Sequence, residues 1–260
     1  MVPAWVPDPP PLDAPAPVAP ATAPPSAPTP ATPVPVAPPA RFSGARRALG
    51  DYARTGERGD LRRGLGHYVR TGYGGSSTTT QRMGGTASTA GALHGALSAL
   101  AGGQSAVGSP LDPALLAGRS AQDVMDAVIE AVRPIDGTQD AEAARAAIRD
   151  ALSELLTRFP DADLLNLDDQ QRSYAIERYT ALDVFRRFDL DIGKAIREKA
   201  PTATAALSRL RQAKDYIKEV VAASFRRLRE AGRVVTAGRV GQLVRDALRD
   251  TFAVFEGYAE

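Results

Sequence analysis

Proline is the residue that most restricts how this chain folds, because 16 of its 21 prolines fall within residues 1–40. Each proline fixes φ and lacks the amide proton that helices and sheets use. It also pushes the preceding residue towards an extended backbone. Ten other residues of this segment are alanine, and its only charged residues are Asp8 and Asp13. We therefore predict a disordered, polyproline-II-biased arm over residues 1–40.

The tip of this arm carries Trp5, the only tryptophan in the chain, between two Val-Pro pairs. A tryptophan in an extended arm has no core to fill. It reflects either chance composition or an anchor for the pocket of a partner protein, since aromatic residues are enriched at binding hot spots. The candidate partner-binding residues are Val2, Pro3, Trp5, Val6 and Pro7.

The rest of the chain reads as helices. Hydrophobic residues make up 43% but aromatic residues only 6%, and an alanine-rich composition favours closely packed helices. Ser120 and Asp123 resemble a capping box, and Val124, Val128 and Ile129 then recur with a helical period. No segment alternates like a strand, so we predict an all-α helical bundle or array. Composition divides it into a Gly/Arg-rich helical region, 41–118, and a helical bundle region, 119–260.

One predicted helix is unusually rich in small residues. It runs from about Ser77 to Leu100 and contains Gly84, Gly91 and Gly95. Glycine inside a helix costs about 1 kcal/mol relative to alanine, so these glycines predict close packing. The surrounding stretch from Met83 to Leu111 has no charged residue. Its many Gly, Ser and Thr residues favour a buried helix over a membrane span, which needs about 20 mostly apolar residues.

The sequence offers little catalytic chemistry. The absence of cysteine excludes disulfides, thiolate metal sites and a cysteine nucleophile. His67 and His94 have no serine and acid at a recognisable spacing, and the aspartates of 161–169 lack the pattern of a calcium loop. We expect no catalytic residue, no metal site and no cofactor, and therefore not an enzyme. The lack of a secretory signal or membrane span predicts a cytoplasmic protein.

A glycine turn at 72–80 suggests an anion site. Consecutive glycine amides that lead into a helix N-terminus bind anions well, and Arg70 and Arg82 flank this turn. The turn lacks the Gly-Lys-Ser/Thr of a phosphate-binding loop, and no predicted strand precedes it. The alternative is a tight turn between helices with a helix cap.

Arginine dominates the basic residues of 41–82, where nine arginines face three acids. Such a cluster attracts phosphates of any nucleic-acid sequence, and the tyrosines of the same region offer stacking groups. Arginine is equally suited to protein interfaces, where it forms forked hydrogen bonds with carboxylates. The candidate anion or nucleic-acid contacts are Arg46, Arg47, Arg62, Arg63, Arg70, Gly74, Gly75 and Arg82.

A series of short motifs, taken in order behind the proline-rich arm, resembles the QatB family of bacterial Qat anti-phage systems. None of these motifs is catalytically diagnostic, and the resemblance rests on their combination over nearly the whole chain. The motifs are Arg41-Phe42, Gly44-Ala45-Arg46, Gly64-Leu65, Tyr68-Val69-Arg70, Gly72-Tyr73-Gly74-Gly75, Arg82-Met83-Gly84, Gly91-Ala92-Leu93, Phe185, Arg187, Asp191, Gly193-Lys194-Ala195-Ile196 and Lys214-Asp215-Tyr216-Ile217.

The resemblance implies partners from one defence operon: an ATPase, a QueC-like enzyme and a TatD-like nuclease. It also implies that the QueC-like enzyme joins a 7-deazaguanine group to the N-terminal glycine of a short leader. This sequence begins Met1-Val2-Pro3, and the family's leader would lie upstream of Met1. Either that leader precedes Met1 or this member has lost it, and the modified glycine corresponds to no residue here. The alternative function is a nucleic-acid-binding adaptor that uses the arginines of 41–82.

Overall fold

The computed structural model describes residues 40–104, 108–233, 236 and 238–259. Within these residues every regular element is a helix, which confirms the all-α prediction. The proline-rich arm lies outside the described residues, apart from its last residue, Ala40.

The first half of the body contains five α-helices and one π-helical segment. They are α1 (Ser43–Thr55), α2 (Arg58–His67), π1 (Tyr68–Tyr73), α3 (Ser76–Arg82), α4 (Gly84–Ala101) and α5 (Pro113–Leu116). The second half contains longer helices and a second π-helical segment. They are α6 (Ala121–Val132), α7 (Gln139–Arg158), α8 (Asp169–Phe188), π2 (Asp189–Gly193), α9 (Lys194–Lys199), α10 (Ala203–Glu230), α11 (Val240–Glu256) and a 3₁₀ turn (Gly257–Ala259).

Local signals in the sequence account for most helix ends. Ser120 and Asp168 form capping boxes at the starts of α6 and α8, which satisfy amides that the helix itself leaves unpaired. Thr138 caps α7 through the amide of Ala141. At the other end of α1, Gly56 adopts φ of 80°, a left-handed conformation that glycine accepts without steric cost.

Helix α8 lies at the centre of the body. It packs against α4, α7 and α10, and α11 in turn packs against α3, α4 and α10. The buried face of α8 includes Ile176, Tyr179 and Leu182. Helices from residues 41–118 and from residues 119–260 therefore contribute to one hydrophobic core.

The predicted helix over Ser77–Leu100 is in fact two helices, α3 and α4, separated by a break at Met83. The expectation that Gly84, Gly91 and Gly95 pack closely is wrong. A Cβ built on any of the three would meet no atom within 4 Å. These glycines leave space beside α4 rather than admitting a neighbouring helix.

Helix α10 buries one apolar face. Leu210, Ile217 and Val221 face the core, while Leu207 is 66% exposed. Ser224 is also buried and accepts a hydrogen bond from Oγ1 of Thr251 at 3.1 Å, so its hydroxyl is satisfied inside the core. None of the helices in the described residues combines the length and apolarity needed to cross a membrane.

Candidate functional site

Two π-helical segments meet in the body. Segment π1 continues α2, and π2 continues α8. The hydroxyls of Tyr68 and Tyr73, at the two ends of π1, both donate to Oδ2 of Asp191 in π2, at 2.9 and 2.6 Å. Short π-helical turns are rare and often occur at functional sites, so this contact marks the first candidate site.

The π geometry explains how both tyrosines reach one carboxylate. In an α-helix, residues five apart point about 140° away from each other, since each residue turns about 100°. A π-helix bonds residue i to residue i+5, which brings such residues towards the same side. Tyr68 and Tyr73 are five residues apart, and the wider turn aligns them on Asp191.

Phe42 is packed against the same tyrosines. Its ring centroid lies 5.5 Å from that of Tyr68 and 5.5 Å from that of Tyr73, and the side chain is 4% exposed. A Cβ on Gly72 would lie 2.4 Å from Cδ1 of Phe42, so glycine is what lets the ring approach π1. We call Phe42, Tyr68, Tyr73, Phe188 and Asp191 the root cluster, because the arm joins the body beside it.

Burial sets the protonation of the root cluster. Burial raises the pKa of Tyr73 to about 12, and the hydrogen bond to Asp191 adds to this shift. Burial also raises the pKa of Tyr68 well above 10.0. Both phenols therefore stay protonated at neutral pH and act as donors to the carboxylate.

Three arginines surround the rings of the root cluster. The guanidinium carbon of Arg41 lies 4.4 Å from the centroid of Phe42 and 5.4 Å from that of Tyr73. Arg46 lies over Phe42 and Arg82 over Tyr73, each at 5.9 Å. None of the three forms an ion pair within the described part of the chain. We call Arg41, Arg46 and Arg82 the arginine collar.

Other basic residues singled out by the sequence lie elsewhere. Nε of Arg62 donates to the hydroxyl of Tyr216 at 3.2 Å, and its guanidinium lies over the rings of Tyr216 and Tyr258. Arg63 pairs with Asp60 at 3.2 Å. Arg47 is exposed on α1. The structure thus places Arg46 and Arg82 over two touching rings, those of Phe42 and Tyr73, and gives Arg62 and Arg63 other partners.

The glycine turn before α3 already holds a carboxylate. Gly74 and Gly75 adopt φ of 87° and 103°, and the amide of Ser76 donates to Oε2 of Glu256 at 3.0 Å. Hydrogen bonds from Ser76 lower the pKa of Glu256, and the charge of Arg70 lowers it further. An external anion at this turn would have to displace the side chain of Glu256 from the last helix.

A buried polar pair escaped the sequence analysis. Asp183 is 3% exposed and accepts a hydrogen bond from Oγ1 of Thr86 at 2.6 Å. Burial raises the pKa of Asp183, although Thr86 and then Arg187 oppose that shift. The only signal in the sequence is an acid between Leu182 and Val184 in an apolar stretch of α8.

The two histidines lie in different environments. His94 is buried in α4, and this burial lowers its pKa, while His67 is half-buried beside Gly44. Among the described residues, no group of three or more acidic or histidine side chains could hold a metal ion. The predicted contacts at the arm's tip, Val2, Pro3, Trp5, Val6 and Pro7, lie outside the described residues.

Comparison with known proteins identifies the family. Residues 74–255 match the family described as Qat anti-phage system associated protein QatB. No curated protein and no solved structure shows significant similarity to the chain. The match includes π2 and begins at Gly74, directly after the last residue of π1. The chain therefore belongs to the QatB family of proteins associated with the Qat anti-phage system.

Proposed function

We propose that this protein is a non-enzymatic component of Qat defence that presents its N-terminal arm to a QueC-like enzyme. That enzyme joins a 7-deazaguanine group to the arm's terminus. The helical body holds the arm and docks other proteins of the system, the ATPase and the TatD-like nuclease among them. The observation that carries this proposal is the anchoring of Arg41 and Phe42, the two residues that follow the arm, at the root cluster.

The anchoring gives the arm one fixed end. Phe42 is enclosed by Tyr68 and Tyr73, and Arg41 lies over two of the rings. From that point, an extended arm of the predicted kind reaches about 120 Å, at about 3.1 Å per residue. A stiff and mostly uncharged arm loses little conformational entropy on entering an enclosed active site. These features suit a substrate that is delivered by a scaffold.

Intact-mass measurement after co-expression tests the proposal. The substrate is the chain with a glycine-containing leader placed before Val2, and the partner is the QueC-like enzyme of the same operon. We expect one discrete mass increase, located by peptide mapping at the N-terminal glycine. The 260-residue form should gain no mass, because β-branched Val2 fits poorly where the family has glycine.

Two controls make the mass result decisive. A catalytically inactive partner should leave the leader form unmodified, and so should a leader in which the glycine is replaced by valine. If the leader form gains no mass with a partner of proven activity, the substrate role is wrong. The variant Trp5→Ala should lower the modified fraction, and an unchanged fraction would remove the anchor role of Trp5.

The second candidate function is a nucleic-acid-binding adaptor. The exposed side chains of Arg46, Arg47, Arg70 and Arg82 favour it, since none pairs with a carboxylate in the described residues. Such binding weakens with salt, and the slope against the logarithm of salt concentration is about −0.9 per neutralised phosphate for duplex DNA. Fluorescence anisotropy with labelled DNA over a salt series tests it, and DNA binding absent at low salt would dismiss it.

A further inference from the structure

We infer that the arginine collar, together with Leu190, is a docking surface for a protein partner that presents carboxylates beside an apolar pocket. The inference rests on the proposed function, because it assigns this surface to the QueC-like enzyme that takes up the arm.

The first argument is unpaired charge. Arg41 and Arg46 share the ring of Phe42, and Arg41 and Arg82 share the ring of Tyr73. Some arginines elsewhere in the described body have acidic partners, such as Arg229 with Glu177 and Arg187 with Asp140. The acid of the root cluster, Asp191, accepts hydrogen bonds from Tyr68 and Tyr73 and forms no ion pair with the collar arginines. Three like charges on two touching rings create a positive potential. A surface of carboxylates would neutralise it.

The second argument is the way the collar is held. A guanidinium whose face covers an aromatic ring keeps its edge N–H groups free, and those groups form forked hydrogen bonds with carboxylates. Holding the guanidinium on a ring also reduces the side-chain freedom that binding would remove. The collar is therefore arranged for carboxylate recognition before a partner arrives.

The third argument separates a protein partner from nucleic acid. Single-stranded nucleic acid binds by stacking its bases on open aromatic faces. Here Phe42 is enclosed, and the arginines lie over the rings. Leu190, by contrast, is 50% exposed on π2, next to the Asp191 that binds Tyr73. An exposed apolar side chain one residue from the root cluster offers a protein partner an apolar contact and gives a phosphate backbone nothing to bind.

The location adds affinity. A partner that holds the arm and also contacts its root makes two linked contacts, and the second one forms at a high effective concentration. The collar includes Arg41, the first residue after the arm, so a partner that binds the arm close to its base can make both contacts at once. The surface would thus recruit the enzyme and keep it near the arm.

The test is equilibrium binding of the purified QueC-like enzyme to the full chain, measured by isothermal titration calorimetry. The collar variant is Arg46→Glu with Arg82→Glu. The matched control is Arg226→Glu with Arg249→Glu, which changes net charge equally at two exposed residues without ion pairs in the described chain. We expect Kd to rise at least about tenfold for the collar variant and less than about twofold for the control.

Further variants resolve the two chemical components. The variant Arg46→Lys with Arg82→Lys keeps the positive charge but cannot form forked hydrogen bonds with carboxylates. It should therefore weaken binding less than the charge reversal. Leu190→Ser should weaken binding while leaving its salt dependence unchanged, because it removes apolar contact only. Far-UV circular dichroism must show wild-type helicity for every variant, and a variant that fails this check is replaced by its Gln counterpart.

Each result either supports or overturns the inferred docking surface. Wild-type affinity in the collar variant, or equal losses in collar and control variants, would overturn the inference. Loss of DNA binding without loss of enzyme binding would make the surface a polynucleotide site and would also overturn it. The mass measurement of the leader form reports separately on the substrate role. A collar-dependent complex without any mass increase would refute the proposed function and leave the docking surface standing.

Discussion

Replacing Gly72 with alanine should destabilise the body although it favours helix formation. The new Cβ would lie 2.4 Å from Cδ1 and 2.5 Å from Cε1 of Phe42. Those distances are shorter than any real contact, so the ring or the backbone of π1 must move. Phe42 cannot move freely, since Tyr68 and Tyr73 pack against it and only 4% of its surface is exposed.

The structure sets the sign and the size of this effect. Alanine in place of glycine favours a helix by about 1 kcal/mol. Overpacking a filled site costs about 1–3 kcal/mol. A displaced ring also loses two aromatic contacts, each worth about 0.5–1.5 kcal/mol. The free energy of unfolding should therefore fall by about 1–5 kcal/mol.

The matched control is the same substitution at Gly95, in the middle of α4. No atom lies within 4 Å of a Cβ built there, so Gly95→Ala should raise the free energy of unfolding by about 0.5–1 kcal/mol. Urea unfolding followed by far-UV circular dichroism measures both variants. Adding Phe42→Leu to Gly72→Ala should recover part of the loss, because the smaller side chain relieves the contact. The reasoning fails if Gly72→Ala is as stable as Gly95→Ala.

Three further outcomes are expected. Limited proteolysis should remove residues 1–40 first and leave a resistant fragment that starts near Arg41, and amide exchange should show no protection in the arm; a protected arm would contradict its predicted disorder. Thr86→Val should lower the free energy of unfolding by about 1–3 kcal/mol in urea titrations, because buried Asp183 loses its donor; unchanged stability would mean that this bond contributes nothing. The pKa of Tyr73 is about 12 in the folded protein against 10.0 as its ordinary value, so the folded state keeps the phenol proton that the unfolded chain releases. Stability should fall as pH rises from 10.0 to about 12, and Tyr73→Phe should flatten that fall in pH-dependent unfolding.

The sequence predicted the parts of the fold that local chemistry decides. The capping residue Ser120 starts a helix where the pattern placed it. Pro134 and Pro160 follow the ends of α6 and α7. Such signals act within one helical turn, so a single sequence contains them completely.

The candidate site depends on contacts that a single sequence does not contain. Tyr68 and Asp191 are 123 residues apart in the chain, and no periodic pattern connects them. The π-helical segments are not predicted, because the prediction of helices from sequence rests on the α-helical period. The contact of Glu256 with the glycine turn is not predicted either, because Glu256 lies 180 residues after Ser76 in the chain. The exposed arginines were identified by composition, but their division between the collar and the Tyr216 group follows from tertiary packing.

The spacing of the two tyrosines limits which changes of chain length π1 can accept. Deleting one residue between Tyr68 and Tyr73 would leave them four residues apart, about 40° from each other around an ordinary α-helix, so both hydroxyls could still face Asp191. Inserting one residue would place them six apart, about 120° from each other around an α-helix, and at most one hydroxyl could then reach Asp191. Insertions in this segment should therefore be tolerated less well than a one-residue deletion.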